Sequence, residues 1–229
     1  MMRRGLFPLV LGFGGCAVLV ALGVWQVQRL AWKEAVLAEI AARIVAPPEA
    51  LPAAVEAGAD PPAMRFRPVR VAGRTTGDEL RVLTGRRDTG AGYEIIAAFE
   101  TGQGRRVLLD RGYVAEGEER AARPPVALEV TGNLHWPDEA DGFTPPPDMA
   151  RGLWFARDVP AMAAALGTEP ILVVAREVAG DRQGIDPSPV GTEGISSNHR
   201  QYAITWFSLA AVWAGMTAYL MWRIRRKVV

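Results

Sequence analysis

Residues 6–27 read LFPLVLGFGGCAVLVALGVWQV, and residues 202–222 read YAITWFSLAAVWAGMTAYLMW. Neither stretch contains a charged side chain. At 1.5 Å of rise per residue, about 20 apolar residues match a hydrocarbon core roughly 30 Å thick. A single Arg or Lys at the centre of such a helix costs roughly 2.5–3.5 kcal/mol on insertion scales, so two uncharged windows of this length carry a strong membrane signal. Backbone polar groups inside lipid must bond within their own segment, which makes both stretches helical. A cleaved secretory signal is the competing reading of the first stretch, with Arg3 and Arg4 as its basic start. The run exceeds a usual signal core and leads into Trp25, Gln26, Gln28, Arg29 and Trp32, an interfacial set of aromatic and polar anchors, so we expect a retained helix.

Charge sets the expected orientation. Arg223, Arg225, Arg226 and Lys227 crowd the end of the second stretch, whereas Arg200 stands at its start. The positive-inside rule then puts both termini in the cytoplasm and the intervening chain on the other side. The chain has 229 residues, a net charge of +1 and one cysteine, Cys16, inside the first stretch. A disulfide is therefore ruled out for the central region, which must rely on its apolar core. The near-zero charge gives no footprint for nucleic acid.

Working inward, Leu30, Val36, Leu37, Ile40 and Ile44 recur near a 3.6 period, which predicts that the first helix continues beyond the apolar run. Pro47 and Pro48 end it, and Pro52, Pro61 and Pro62 mark an irregular entry to the next region. Strands are expected at 66–74, 80–84, 93–99, 106–114 and 126–134, separated by Gly-rich turns. Asp158 is expected to cap a helix through Leu166 that stops at Gly167, with Pro160 in its first turn. A buried strand follows at 171–176, and residues 180–197 read as a Gly/Pro/Ser linker. The organisation is thus a tail and transmembrane helix at 1–28, an extracytoplasmic α+β domain at 29–197, and a transmembrane helix with a basic cytoplasmic tail at 198–229. The sheet is expected to be mostly antiparallel, with a helix packed on it.

Groups with obvious chemistry are few. No Gly-x-Ser-x-Gly elbow and no Cys/His cluster of metal-ligand spacing occurs. Gly12-x-Gly14-x-x-Ala17 imitates a dinucleotide fingerprint but sits in a membrane stretch with no strand before it. Asp138, Glu139 and Asp141 read as a solvated acidic face of the Pro-rich loop 137–147, and His135 as a packed loop residue. His199 differs by position. It precedes the second apolar stretch, follows a potential cap at Asn198, and shares a helical stripe with Tyr202, Trp206 and Trp213. Two readings stay open for it: a polar head in an interfacial aromatic belt, or an axial ligand for an amphipathic haem whose propionates reach Arg200.

Five segments, in order, resemble the surfeit locus protein 1 family. They are Gly23–Lys33 (GVWQVQRLAWK), Arg67–Gly73 (RPVRVAG), Leu108–Val114 (LLDRGYV), Leu153–Pro160 (LWFARDVP) and Asn198–Phe207 (NHRQYAITWF). The resemblance implies two terminal membrane helices around a central extracytoplasmic domain, and a role as a non-enzymatic assembly factor for haem–copper cytochrome c oxidase in a bacterial inner membrane. It also implies transient binding of haem a and its delivery to oxidase subunit I, alongside other assembly factors. The iron ligand by resemblance is His199, with Tyr202, Trp206 and Arg200 around the macrocycle and Trp25, Gln26 and Arg29 as a facing wall. Arg200 and Ser197 stand where the family usually has Leu and Asn. A cofactor-free scaffold, packing the small residues Ala211 and Gly215 against oxidase helices, is the alternative.

Overall fold

A computed structural model describes residues 3–52, 64–192, 195 and 197–226. The irregular entry at Pro61 and Pro62 lies outside them, as does Lys227. Two compact units form: Met1–Glu39 with Thr192–Val229, and Ile40–Gly191. The chain is α+β. Helix α1 runs Arg3–Ile44 and the last helix, α3, His199–Arg226. Both are long and apolar enough to cross a membrane. Large apolar side chains such as Val10, Phe13, Val212 and Met216 stand exposed on them.

The second unit is built on β1 (Glu49–Ala50), β2 (Pro68–Arg86), β3 (Gly90–Thr101), β4 (Arg106–Ala115), β5 (Ala127–Leu134), β6 (Leu153–Trp154) and β7 (Glu169–Ala179), with α2 (Val159–Leu166) before β7. The strands expected at 66–74 and 80–84 are one long strand, β2. Its register slips between Thr75 and Glu79, around Gly77 at φ +92°. Before the slip β2 pairs antiparallel with β5, and from Gly73 onward with β3. The remaining neighbours run β3-β4-β7-β5, so β2 meets both ends of the series and the sheet closes into a five-strand ring. The pairing is mostly antiparallel, as expected, with parallel exceptions where β4 meets β7 and where the short β1 and β6 add to β2. A parallel neighbour needs a crossover connection, and the segment containing α2 lies between β4 and β7 in sequence.

The core of this unit is apolar and draws side chains from both faces of the sheet. Val69, Phe99, Val107, Leu108, Val130, Leu134 and Leu172 are all at 2% exposure or less. Helix α2 packs mainly on β7 through Val159, Met162 and Ala163. Its ends are those expected: Asp158 accepts from the Ala161 amide at 3.1 Å, and Gly167 terminates it in the left-handed region at φ 62°. The indole of buried Trp136 donates to the Pro170 carbonyl at 3.0 Å. His135 lies against the Phe66 ring, 5.4 Å between centroids, in keeping with a packed loop residue. The first part of the expected linker is not loose: Ile185 is buried, and Asp186 exchanges backbone hydrogen bonds of 2.8 and 3.0 Å with Tyr113.

One polar group of the core was not foreseen. Asp110 on β4 is fully buried and accepts from Arg157 at 3.1 Å, just ahead of α2. Arg157 also holds Glu139 of the Pro-rich loop through its Nε at 3.1 Å. Glu139 is thus exposed, as expected of a solvated loop carboxylate, and is also a partner in an ion-pair chain. Partial burial would raise its pKa, but the Arg157 hydrogen bonds and charge hold it below the ordinary value. Beside Asp110, on β3, burial and the neighbouring Asp110 charge push Glu94 up to about 8. One of its carboxyl oxygens is buried without a donor. Two adjacent carboxyls in a dry site share a proton, and Arg157 at Asp110 leaves that proton on Glu94.

Two tests follow from this architecture. At Gly73, where β2 faces Thr101 on one side and Leu128 on the other, a Cβ would stand 2.1 Å from the Glu100 carbonyl oxygen. Gly73→Ala should cost about 1–3 kcal/mol in denaturant melts of the detergent-solubilised chain; wild-type stability would mean the ring is not closed there. For Glu94, the raised folded pKa means stability is full below the unfolded value of 4.5 and is lost as pH rises through about 8. The Asp110 carboxyl, also raised by burial against the opposing Arg157, adds with the same sign. Melting temperature should fall across that window, and Glu94→Gln, neutral throughout, should flatten the fall; an unchanged slope would clear Glu94 of the effect.

Candidate functional site

The candidate site lies on the pair formed by α1 and α3. Glycines on α1 let the two helices approach closely. A Cβ at Gly12 would stand 2.2 Å from Thr217, one at Gly15 2.6 Å from the Trp213 ring, and one at Gly23 2.7 Å from Phe207. These pairs run in opposite directions along the two helices, so the packing is antiparallel. The Trp213 indole donates to the Gly12 carbonyl at 3.0 Å, a polar tie within the seam. Ala203 and Ala210 are buried, and the Cys16 sulfur lies 3.9 Å from the Ala210 carbonyl. Gly14 meets nothing within 4 Å and Gly215 likewise, so both face away from the seam.

At the His199 end of this seam, Nδ1 of His199 is 2.7 Å from Oε1 of Gln26. Gln26 is only 8% exposed, and His199 is half-buried as the first residue of α3. The carbonyl of Asn198 receives the first bond of that helix, from the Tyr202 amide at 3.0 Å, which puts Asn198 at the N-cap. A carboxamide oxygen can only accept, so Nδ1 is the donor in this contact, and in a neutral ring that leaves the lone pair on Nε2. That is the arrangement of a metal-binding histidine, one nitrogen held by a neighbouring acceptor and the other available. Among the described residues no group of three or more His, Cys, Asp or Glu could hold a metal ion. One half-buried imidazole held at Nδ1 is a donor of the kind that a porphyrin iron, which brings four nitrogen ligands of its own, can use.

The other sequence candidates are distributed around this pair. Tyr202 is 53% exposed, Arg200 is exposed and Trp206 is half-buried on α3. On α1 Trp25 is 53% exposed, and Arg29 is exposed with its guanidinium 3.9 Å over the Trp32 ring. Of the expected wall, the fold brings Gln26 to His199, while Trp25 and Arg29 lie on a different stripe of α1 with Trp32. The Gln26 contact was not readable as a hydrogen bond, because it joins residues 173 positions apart. The Asp110–Arg157–Glu139 chain escaped sequence reading for the same reason. Its only trace is that Leu108–Val114 and Leu153–Pro160 each carry an adjacent Asp and Arg inside an otherwise apolar segment.

Comparison with known proteins identifies the lineage. The family model described as the SURF1 family matches residues 14–211. Surfeit locus protein 1 of Rattus norvegicus is 32% identical over 238 residues, covering 90% of this chain and 72% of that protein. A SURF1-like protein of Drosophila melanogaster is 28% identical, covering 90% and 74%. Surfeit locus protein 1 of Homo sapiens is 29% identical, covering 88% and 72%. The matched region contains the His199–Gln26 pair, the glycine seam from Gly15 to Gly23 and the whole closed sheet, and on this evidence the chain belongs to the SURF1 family.

Proposed function

We propose that this chain is a membrane-bound carrier that binds haem a transiently through His199 and aids its delivery to subunit I of cytochrome c oxidase. Membership of the SURF1 family implies a role in cytochrome c oxidase assembly. The observation that carries the finer reading is the 2.7 Å contact of His199 Nδ1 with Gln26, which leaves Nε2 as a free donor. Bound there, haem a would supply an iron with an axial position for Nε2. Tyr202 and Trp206 offer aromatic surface to the macrocycle, and Arg200 offers a cation to a propionate. A single protein ligand suits cargo that must later be released.

In this reading α1 and α3 span a bacterial inner membrane. The basic last turn of α3, with Arg223, Arg225 and Arg226, stays in the cytoplasm. Both termini are then cytoplasmic and the closed sheet is periplasmic, where oxidase subunit I and other assembly factors are its partners. The scaffold alternative draws on Gly215 and Gly14, which face away from the α1–α3 seam and are open to a further helix.

Two experiments test these statements. Purified from cells that make haem a, the wild type should carry near-stoichiometric haem by visible spectrum and extraction, and His199→Ala should lower it about tenfold or more. Haem absent from both proteins would leave the scaffold. For orientation, Phe143 is 95% exposed in the closed-sheet unit. In a Cys16→Ala background, Phe143→Cys should react with a membrane-impermeant maleimide in intact spheroplasts, and Arg225→Cys only after permeabilisation. The reverse pattern would invert the topology.

A further inference from the structure

Gln26 belongs to the helix seam, not to a surface that a ligand would touch. It is 8% exposed, and its amide oxygen lies 2.7 Å from Nδ1 of His199. Of the residues that the resemblance gathers around His199, it is the one in hydrogen-bond contact with the imidazole. A neutral imidazole carries one proton, which free in water prefers Nε2. An acceptor fixed at Nδ1 reverses that preference and frees Nε2. The identity of the acceptor matters as much as its position. A carboxylate behind a ligating imidazole draws the Nδ1 proton toward itself and strengthens the donor, whereas a carboxamide accepts without charge and leaves a weaker one.

Resting on the haem reading above, we propose that Gln26 is a positioning residue: it fixes His199 in the Nδ1–H tautomer, so that Nε2 is the iron-binding nitrogen, and as an uncharged acceptor it keeps that donor weak enough for the cargo to be handed on. Gln26 does not touch the haem. The glycines at positions 12, 15 and 23 serve this arrangement by allowing α1 close enough to α3 for a side chain of this length to reach the ring.

The test uses the full chain in nanodiscs and reads two quantities, one of which needs no haem. Nitrogen-15 NMR of histidine-labelled protein, with His199→Ala to assign the signal, should show His199 protonated at Nδ1 and bare at Nε2. Gln26→Leu should relax it toward the Nε2–H form and weaken haem affinity by about 10–100-fold. Gln26→Glu keeps an acceptor of the same length. It should keep the Nδ1–H tautomer, slow haem release to an apo-acceptor and lower the iron reduction potential. Because Gln26→Glu must rescue the tautomer that Gln26→Leu loses, a merely structural role in helix packing would not reproduce the set. An unchanged tautomer in Gln26→Leu, or unchanged haem affinity once the tautomer has moved, would overturn the assignment. Wild type without haem would overturn the carrier reading instead, and the NMR arm alone would still decide whether Gln26 sets the tautomer.

Discussion

The closed-sheet unit depends on a single strand serving two neighbours. Strand β2 pairs with β5 up to Arg74 and with β3 from Gly73 onward, so the ring closes only if its backbone can lie against both at Gly73. A side chain there would collide with the Glu100 carbonyl, a backbone atom that the β3 ladder does not let move. Once closed, the sheet leaves β2 and β5 no free edges facing each other, and the apolar side chains of the core are sealed from water. The parallel β4–β7 contact is a consequence, because it joins the two halves that β2 cannot reach.

Closure also explains the buried ionic chain. Asp110 sits on β4 with no exposure, a costly position for a carboxylate unless a cation reaches it. Arg157 does so from the turn before α2, and its other bonds fasten Glu139 of the Pro-rich loop. Core strand, helix entry and loop are thus held by one guanidinium, whose planar fork can serve two carboxylates at once. Glu94 keeps its proton as the least costly way to place a second carboxyl beside the first.

The helical unit works by a different logic. Its seam is made by the absence of side chains on α1, which lets the two helices touch. Close approach brings the histidine at the start of α3 against a buried carboxamide on α1. That is the link from glycine spacing to chemistry. Gly12, Gly15 and Gly23 set the distance, Gln26 uses it, and His199 is left with one available nitrogen.

Much of this was local enough to be legible in the amino-acid order. Two long uncharged windows require two long apolar helices, whatever surrounds them. Asp158, Pro160 and Gly167 define α2 to the residue because caps act over a single turn. The segment Asn198–Phe207 pointed to His199, and Gly23–Lys33 contained Gln26, but as members of a list and without a bond between them. Tertiary structure alone decided that β2 is one strand and not two, that β4 and β7 run parallel, and that Glu139 is paired. It also decided which of Trp25, Gln26 and Arg29 stands behind the imidazole. Periodicity and capping report interactions within a few residues. Ring closure, buried charge pairing and a hydrogen bond across 173 positions depend on where distant segments meet, and side-chain order along the chain carries no direct record of that.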